Sequence, residues 1–187
     1  MLFRSTLVYF VAKYPGVLSK IVICDTISTS PVNAGTTDVF GQRIAAARKA
    51  DSMDDIREGT MDRWFGKDWM AANPAETERM RALMRSTTLD GFETCCAALR
   101  SPTFDLAPLL QKVGAGCDDA LLMVGEKDAD LPVKMEDMRK GIEKGFHSAG
   151  KQKQISLKVI EKAGHVPYID GLEQFTKTLV SFLGSKA

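Results

Sequence analysis

The chain has 187 residues, 44% hydrophobic and 26% charged, and its 25 Lys and Arg against 24 Asp and Glu leave a formal net charge of +1. This is the composition of a globular chain long enough for one sizeable core. It carries neither the basic stripe of a nucleic-acid binder nor an acidic solvating tail, so no nucleic-acid partner is expected.

In chain order, the stretch Met1 to Lys13 is apolar but carries Arg4 and Lys13. It is shorter than the roughly 20 residues of a membrane span and lacks a small-residue cleavage site. No membrane partner is expected, and the location expected is cytoplasmic. Phe3 to Tyr14 reads as a helix with Leu7, Val8, Phe10 and Val11 on a wide apolar face, ended by Pro15-Gly16. Val17 to Asp25 reads as a buried parallel strand, because it is β-branched and nearly continuously apolar. Thr26 to Thr37 is polar, with Pro31, Asn33 and Gly35, and reads as a loop.

From Asp38 to Arg100 the pattern is that of short helices. One runs from Phe40 to Lys49. A second starts near Ser52, where Ser52 and Asp55 resemble a capping box, and reaches the aromatic cluster Arg63-Trp64-Phe65 and Trp69. A third starts at Asn73-Pro74 with Met80, Leu83 and Met84 inward. A fourth, Asp90 to Arg100, carries Phe92, Cys95, Cys96 and Leu99, with both cysteines read as interior. After Pro102 come a short helix at Leu106 to Val113, a strand at Ala120 to Val124, a helix at Val133 to Phe146, a strand at Ile155 to Ile160 and a last helix at Leu172 to Leu183. Strands alternating with helices predict an α/β fold with parallel crossovers. The segments expected are 1–37 and 101–187 for the core, with 38–100 as a helical insertion. The four cysteines, Cys24, Cys95, Cys96 and Cys117, form no CxxC pair, so no zinc site is expected and reduced thiols fit best.

In an open parallel sheet, functional groups gather at the carboxyl ends of the strands. Asp25 follows the first strand, Asp128 the second, and His165 the third, on a Gly turn. An imidazole titrates near neutral pH, and an Asp on its ring nitrogen orients it and stabilises its charged form. Asp130 competes with Asp128 for that role. The bland alternatives are a solvated turn for the two acids and a capped strand end for His165.

Gly125-Glu126-Lys127-Asp128 with Pro132, then Ala163-Gly164-His165-Val166-Pro167 with Phe175 and Phe182-Leu183, are similar to the last two triad elements of the α/β-hydrolase fold. In that fold the triad order is Ser, acid, His. Arg63-Trp64-Phe65 and Gly91 to Arg100 resemble the cap of the 3-oxoadipate enol-lactonases, and Tyr14-Pro15, Leu18 to Asp25 and Arg43-Ile44-Ala45 fit the same family. The resemblance implies the C-terminal part of an α/β-hydrolase, with about three parallel strands and a helical cap. It implies hydrolysis of a small lactone or ester (enol-lactone to 3-oxoadipate, in aromatic-compound catabolism) with no metal and no organic cofactor. His165 is then the general base and Asp128 its orienter, while Trp64 lines the substrate pocket and Arg63 meets the substrate carboxylate. The alternative for the aromatics is packing within the cap.

One element departs from the family. No G-x-S-x-G occurs in the chain, and the family spacing puts the nucleophile near Met1. Ser5, the nearest serine, has Phe3 and Leu7 where the elbow needs glycines. The expectation is an N-terminally truncated lactonase, inactive alone, whose first strand leaves an open sheet edge for self-association. The alternatives are a non-catalytic hydrolase remnant that binds a ligand or partner, and a different α/β-hydrolase esterase.

Overall fold

The apolar run around Leu121 becomes the centre of the sheet. The computed structural model describes residues 2–184, with side chains from residue 5 onward. The strand β2 (Asp119–Gly125) has all seven residues buried. On one side it pairs in parallel with β1 (Lys20–Cys24), from Lys20 opposite Asp119 to Cys24 opposite Met123. On the other side it pairs in parallel with β3 (Ser156–Ile160), from Leu121 opposite Ser156 to Gly125 opposite Ile160. The three strands lie in the order β1-β2-β3. Both faces of β2 are covered by packed side chains as well, Phe175 and Phe182 lying against Leu121 and Met123, which is why it reads as continuous rather than alternating hydrophobicity. The flanking strands are less covered: Ile21 and Ile23 of β1 are buried between half-buried neighbours, and Val159 of β3 is exposed.

β1 is shorter than the apolar run suggests. Val17 is 62% exposed, and Gly16, at φ 80°, donates its N–H to the Gly116 carbonyl. The front of the run is spent on this turn, and pairing starts only after Ser19, whose carbonyl accepts from Asp118 and Asp119 N–H.

The helices in chain order are α1 (Leu2–Lys13), α2 (Val39–Ala50), α3 (Asp54–Phe65), α4 (Lys67–Ala72), α5 (Pro74–Arg85), α6 (Leu89–Arg100), α7 (Leu110–Gly116), α8 (Leu131–Ser148), α9 (Pro167–Asp170) and α10 (Leu172–Gly184). Among the described residues no helix is long and apolar enough to cross a membrane. The chain divides into two compact units, one formed by the residues up to Ser28 together with those from Asp105 on, the other by Thr29–Phe104. The first unit holds the sheet with α1 and α7 to α10. Val8 and Val11 of α1, Val113 of α7, and Met135, Met138, Ile142 and Phe146 of α8 are all buried. Phe175 and Phe182 of α10 lean on Leu121, Met123, Ile160 and Ala163, yet no residue of α10 is fully buried. The Leu106 N–H donates to the Ser28 carbonyl at 2.6 Å, so the points where the chain leaves and re-enters this unit are tied together.

The second unit is helical throughout its regular structure. Its own two ends meet at Asn33, whose side-chain amide donates to the Ser101 and Phe104 carbonyls at 2.9 and 3.0 Å. Asp38 caps α2 by accepting from Gly41 N–H and takes an ion pair from Arg100 of α6 at 2.6 Å. Its hydrogen bond to Arg100 holds the carboxyl below the usual range. Arg48 of α2 reaches Asp90 and Glu93 of α6. Three details differ from the sequence expectation. Ser52 does not form a capping box; α3 begins after Met53, and the Ser52 hydroxyl accepts from Asp54 N–H instead. Leu83 of α5 is 55% exposed, because only one face of that helix meets neighbours and Met80 occupies it. Cys95 is exposed while Cys96 is buried, since successive residues on a helix turn by about 100° and cannot share an inner face. Burial pushes the Cys96 thiol up to about 11.

α7 and α8 pack at glycines. A Cβ on Gly114 would overlap the Ile142 carbonyl oxygen, and one on Gly145 would overlap the Gln111 carbonyl oxygen. Backbone cannot rotate out of the way as a side chain can. Gly145→Ala is therefore expected to cost about 1–3 kcal/mol in a urea unfolding titration. Gly59→Ala, at an exposed position of α3 with open space around it, is expected to gain about 0.5–1 kcal/mol in the same measurement.

Candidate active site

Each strand ends in backbone that an L side chain rarely adopts. Asp25 after β1 has φ 37°, Ala129 after β2 has φ 47°, and Lys162 after β3 has φ 61°. Strained turns of this kind persist only where the surroundings over-determine them, and they gather at functional sites. Here the surroundings are hydrogen bonds between the three strand ends. Glu126 N–H donates to the Ile160 carbonyl at 3.0 Å and Lys127 N–H to the Ala163 carbonyl at 2.8 Å. Lys162 N–H donates to the Glu126 carboxylate at 2.7 Å. The loop after β2 and the loop after β3 are thereby stitched side by side, a consequence of the parallel pairing of Gly125 with Ile160.

That stitching brings His165 and Asp128 together. The imidazole is 4% exposed, and its Nδ1 lies 2.6 Å from Asp128 Oδ2, itself 6% exposed. A carboxylate at this nitrogen is an acceptor only, so Nδ1 carries the proton and Nε2 is the basic nitrogen of the neutral ring. The arrangement orients an imidazole, stabilises its charged form and makes it fit to take and return a proton.

The other sequence candidates lie elsewhere. Asp130 is the N-cap residue of α8 and pairs with Lys134 at 2.7 Å on the surface. Asp25 is completely buried, and its Oδ1 accepts from Gly125 N–H at 2.9 Å, which ties the end of β1 to the end of β2. Ser5 lies within α1, 3% exposed, its hydroxyl without a hydrogen-bond partner among the described residues. The elbow position near Met1 is outside the described residues. Arg63 and Trp64 are on α3 of the second unit, the arginine exposed and the indole half-buried. Their neighbour Phe65 is 5% exposed and stacks on Trp69 with ring centroids 4.8 Å apart, so these two aromatics are packing of the helical unit.

The sequence reading passes over Asp170. Its Oδ2 accepts from Gly164 N–H at 2.6 Å, directly before His165. Burial, reinforced by the negative Asp128, pushes its carboxyl up to about 6. The signal in the sequence is a lone acid on the short, mostly apolar step between His165 and the amphipathic last helix. Gly125 was legible only as a strand end; in the structure a Cβ there would overlap the Gly164 and Ala163 carbonyls.

No protein-family model matches the chain, and no curated protein matches it. Solved structures do. The enol-lactonase from Burkholderia xenovorans LB400 superposes with a TM-score of 0.76 at 23% identity, covering 98% of this chain and 63% of that one. An esterase from Exiguobacterium antarcticum gives 0.77 at 22% identity, covering 97% and 63%. A thermophilic esterase from Thermogutta terrifontis gives 0.72 at 24% identity, covering 96% and 61%. The likeness takes in nearly all of this chain but less than two thirds of each neighbour. With its three parallel strands, its helical insertion and its paired acid and histidine loops, the chain has the α/β-hydrolase fold and fits the C-terminal part of it.

Proposed function

We propose that this chain carries the base and acid of a carboxylic-ester or lactone hydrolase of the 3-oxoadipate enol-lactonase type. The observation that carries this reading is the buried 2.6 Å contact between His165 Nδ1 and Asp128 Oδ2. In the reaction, His165 Nε2 takes the proton of a serine hydroxyl as the oxygen attacks the substrate carbonyl. The proton then passes to the leaving oxygen as the acyl–oxygen bond breaks. A water, deprotonated by the same nitrogen, next attacks the acyl-enzyme, and the serine leaves with its proton restored. Asp128 keeps the ring in the tautomer that leaves Nε2 basic and stabilises the imidazolium in each half-reaction. Trp64 and Arg63 are assigned to the substrate side, the indole as an apolar wall and the guanidinium as partner of a substrate carboxylate.

The serine is the part this chain does not show. It has no G-x-S-x-G, and Ser5 sits inside a helix rather than on a strand-to-helix turn. The same two observations favour a second reading, in which the hydrolase fold is kept for binding alone. Self-association through the outer edge of β1, the terminal strand of the sheet order, is the partner proposed for this chain by itself.

Two measurements separate the readings. The purified chain is expected to hydrolyse enol-lactone no faster than buffer, and a rate that vanishes in His165→Ala would overturn the assignment of the serine to residues outside it. Next, the N-terminal segment of the Burkholderia xenovorans enol-lactonase that this chain does not cover is fused ahead of residue 1. The fusion is expected to hydrolyse lactone or ester, and to lose about a thousandfold or more of that rate in His165→Ala or Asp128→Asn. A folded fusion with no activity, or with activity indifferent to His165, sinks the hydrolase reading. In sedimentation velocity, the chain alone is expected to grow in mass with concentration; a monomer throughout would remove the proposed edge pairing.

A further inference from the structure

The His165 turn is held from two sides. Beneath it, the Gly164 and Ala163 carbonyls lie so close to Gly125 that no side chain fits there. On its other flank, the Gly164 N–H is taken by Asp170 Oδ2 at 2.6 Å. Asp170 ends α9, where Ile169 and Asp170 N–H turn back to the Val166 carbonyl at 2.8 and 3.3 Å. One peptide unit, directly before the imidazole, is thus clamped between a glycine and a carboxyl.

The carboxyl is an unusual clamp. Its second oxygen, Oδ1, is buried with no hydrogen-bond partner among the described residues. A neutral carbonyl would hold Gly164 as well without placing a charge there. An ionised carboxylate with one oxygen unsolvated is costly to keep, and here it faces a second carboxylate, Asp128; the backbone N–H groups of Gly164 and of Asp170 itself, and then Lys127, act in the opposite sense without offsetting burial. Both carboxyls attach to the same short stretch: Asp128 through the His165 ring, Asp170 through the backbone one residue before it.

We propose that Asp170 is a positioning residue of the His165–Asp128 pair: it fixes the Gly164 peptide that presents the imidazole, and by gaining or losing its own proton it changes the charge against which that pair works. The role rests on reading His165 as the base. Burial and the Asp128 charge put the Asp170 transition at about 6, well above an ordinary carboxyl. Below that pH Asp170 adds no charge beside the pair, and the imidazolium is less stabilised. Above it Asp170 adds a negative charge, and the imidazolium is held more firmly. The same raised value has a stability consequence with a definite sign. Between the ordinary carboxyl range and about pH 6 the folded state binds more protons than the unfolded state, so Asp170 makes the fold less stable as pH rises through that window.

The test uses the full chain and needs no catalysis. His147, exposed at the end of α8, is replaced by Gln so that His165 gives the only ring signals. The Asp170 carboxyl carbon and the His165 ring nitrogens are then followed by NMR from pH 4 to 9. The expected result is a carboxyl transition near 6 with a matching inflection in the imidazole signals. In Asp170→Asn, which keeps an oxygen for Gly164, the inflection is expected to vanish, the Gly164 amide to stay protected from exchange, and the fall in thermal midpoint between pH 4 and 6 to flatten. In Asp170→Ala the Gly164 amide is expected to exchange about tenfold faster. An Asp170 carboxyl that titrates in the ordinary range, or a His165 titration identical in parent and Asp170→Asn, overturns the proposal. An inactive fusion enzyme would remove the hydrolase reading and leave these titrations standing; unchanged titrations in an active fusion would do the reverse.

Discussion

The closeness of two backbones at Gly125 is the constraint on which the site depends. The Gly164 carbonyl passes over the end of β2 with no room for a β-carbon between them. That passage sets the height of the His165 turn above the sheet, and so the reach of the imidazole to Asp128. It also explains why the loop after β2 and the loop after β3 share hydrogen bonds at Glu126, Lys127 and Lys162 rather than opening into solvent. Dispersion and hydrogen bonding favour such contact, and the strained φ angles of Ala129 and Lys162 are what it costs locally.

Polar groups at the sheet's carboxyl end divide the work. Asp25 is buried and spends one oxygen on Gly125 N–H, locking the terminal strand to the central one. Asp128 serves the imidazole. Asp170 serves the peptide before it. Asp128 and Asp170 repel one another, and the burial that makes each hydrogen bond strong also makes each charge expensive. Each acid has a donor for one oxygen, and at Asp170 burial and the Asp128 charge push the carboxyl up to about 6.

The helical unit is organised differently. Few of its side chains are fully buried, and its helices are joined by surface ion pairs such as Arg48 with Asp90 and Arg81 with Glu58. Exposed pairs of this kind contribute little each. The unit's definition comes instead from the clamp at its base, where Asn33 gathers the Ser101 and Phe104 carbonyls and Arg100 reaches Asp38.

What the sequence determined by itself is the order of elements and the identity of the central strand. Short continuous apolar runs rich in β-branched residues, alternating with helical periodicity, fit strands of a parallel sheet covered on both faces. His165 and Asp128 were legible as candidates because residues after parallel strands converge, a rule that needs no coordinates. The strand pattern alone left Asp128 and Asp130 open, and the resemblance to the hydrolase acid loop chose Asp128; in the structure the left-handed Ala129 lies between the two, Asp128 meeting the imidazole and Asp130 pairing with Lys134. The start of β1, the separate faces of Cys95 and Cys96, and the exposure of Leu83 depend on which neighbour arrives, which local pattern does not encode. Asp170 and the closeness at Gly125 belonged to the tertiary structure alone. Both are contacts between segments far apart in the chain or folded back through a turn, and only the packed backbone makes an absent side chain a requirement and an ordinary aspartate a high-pKa clamp.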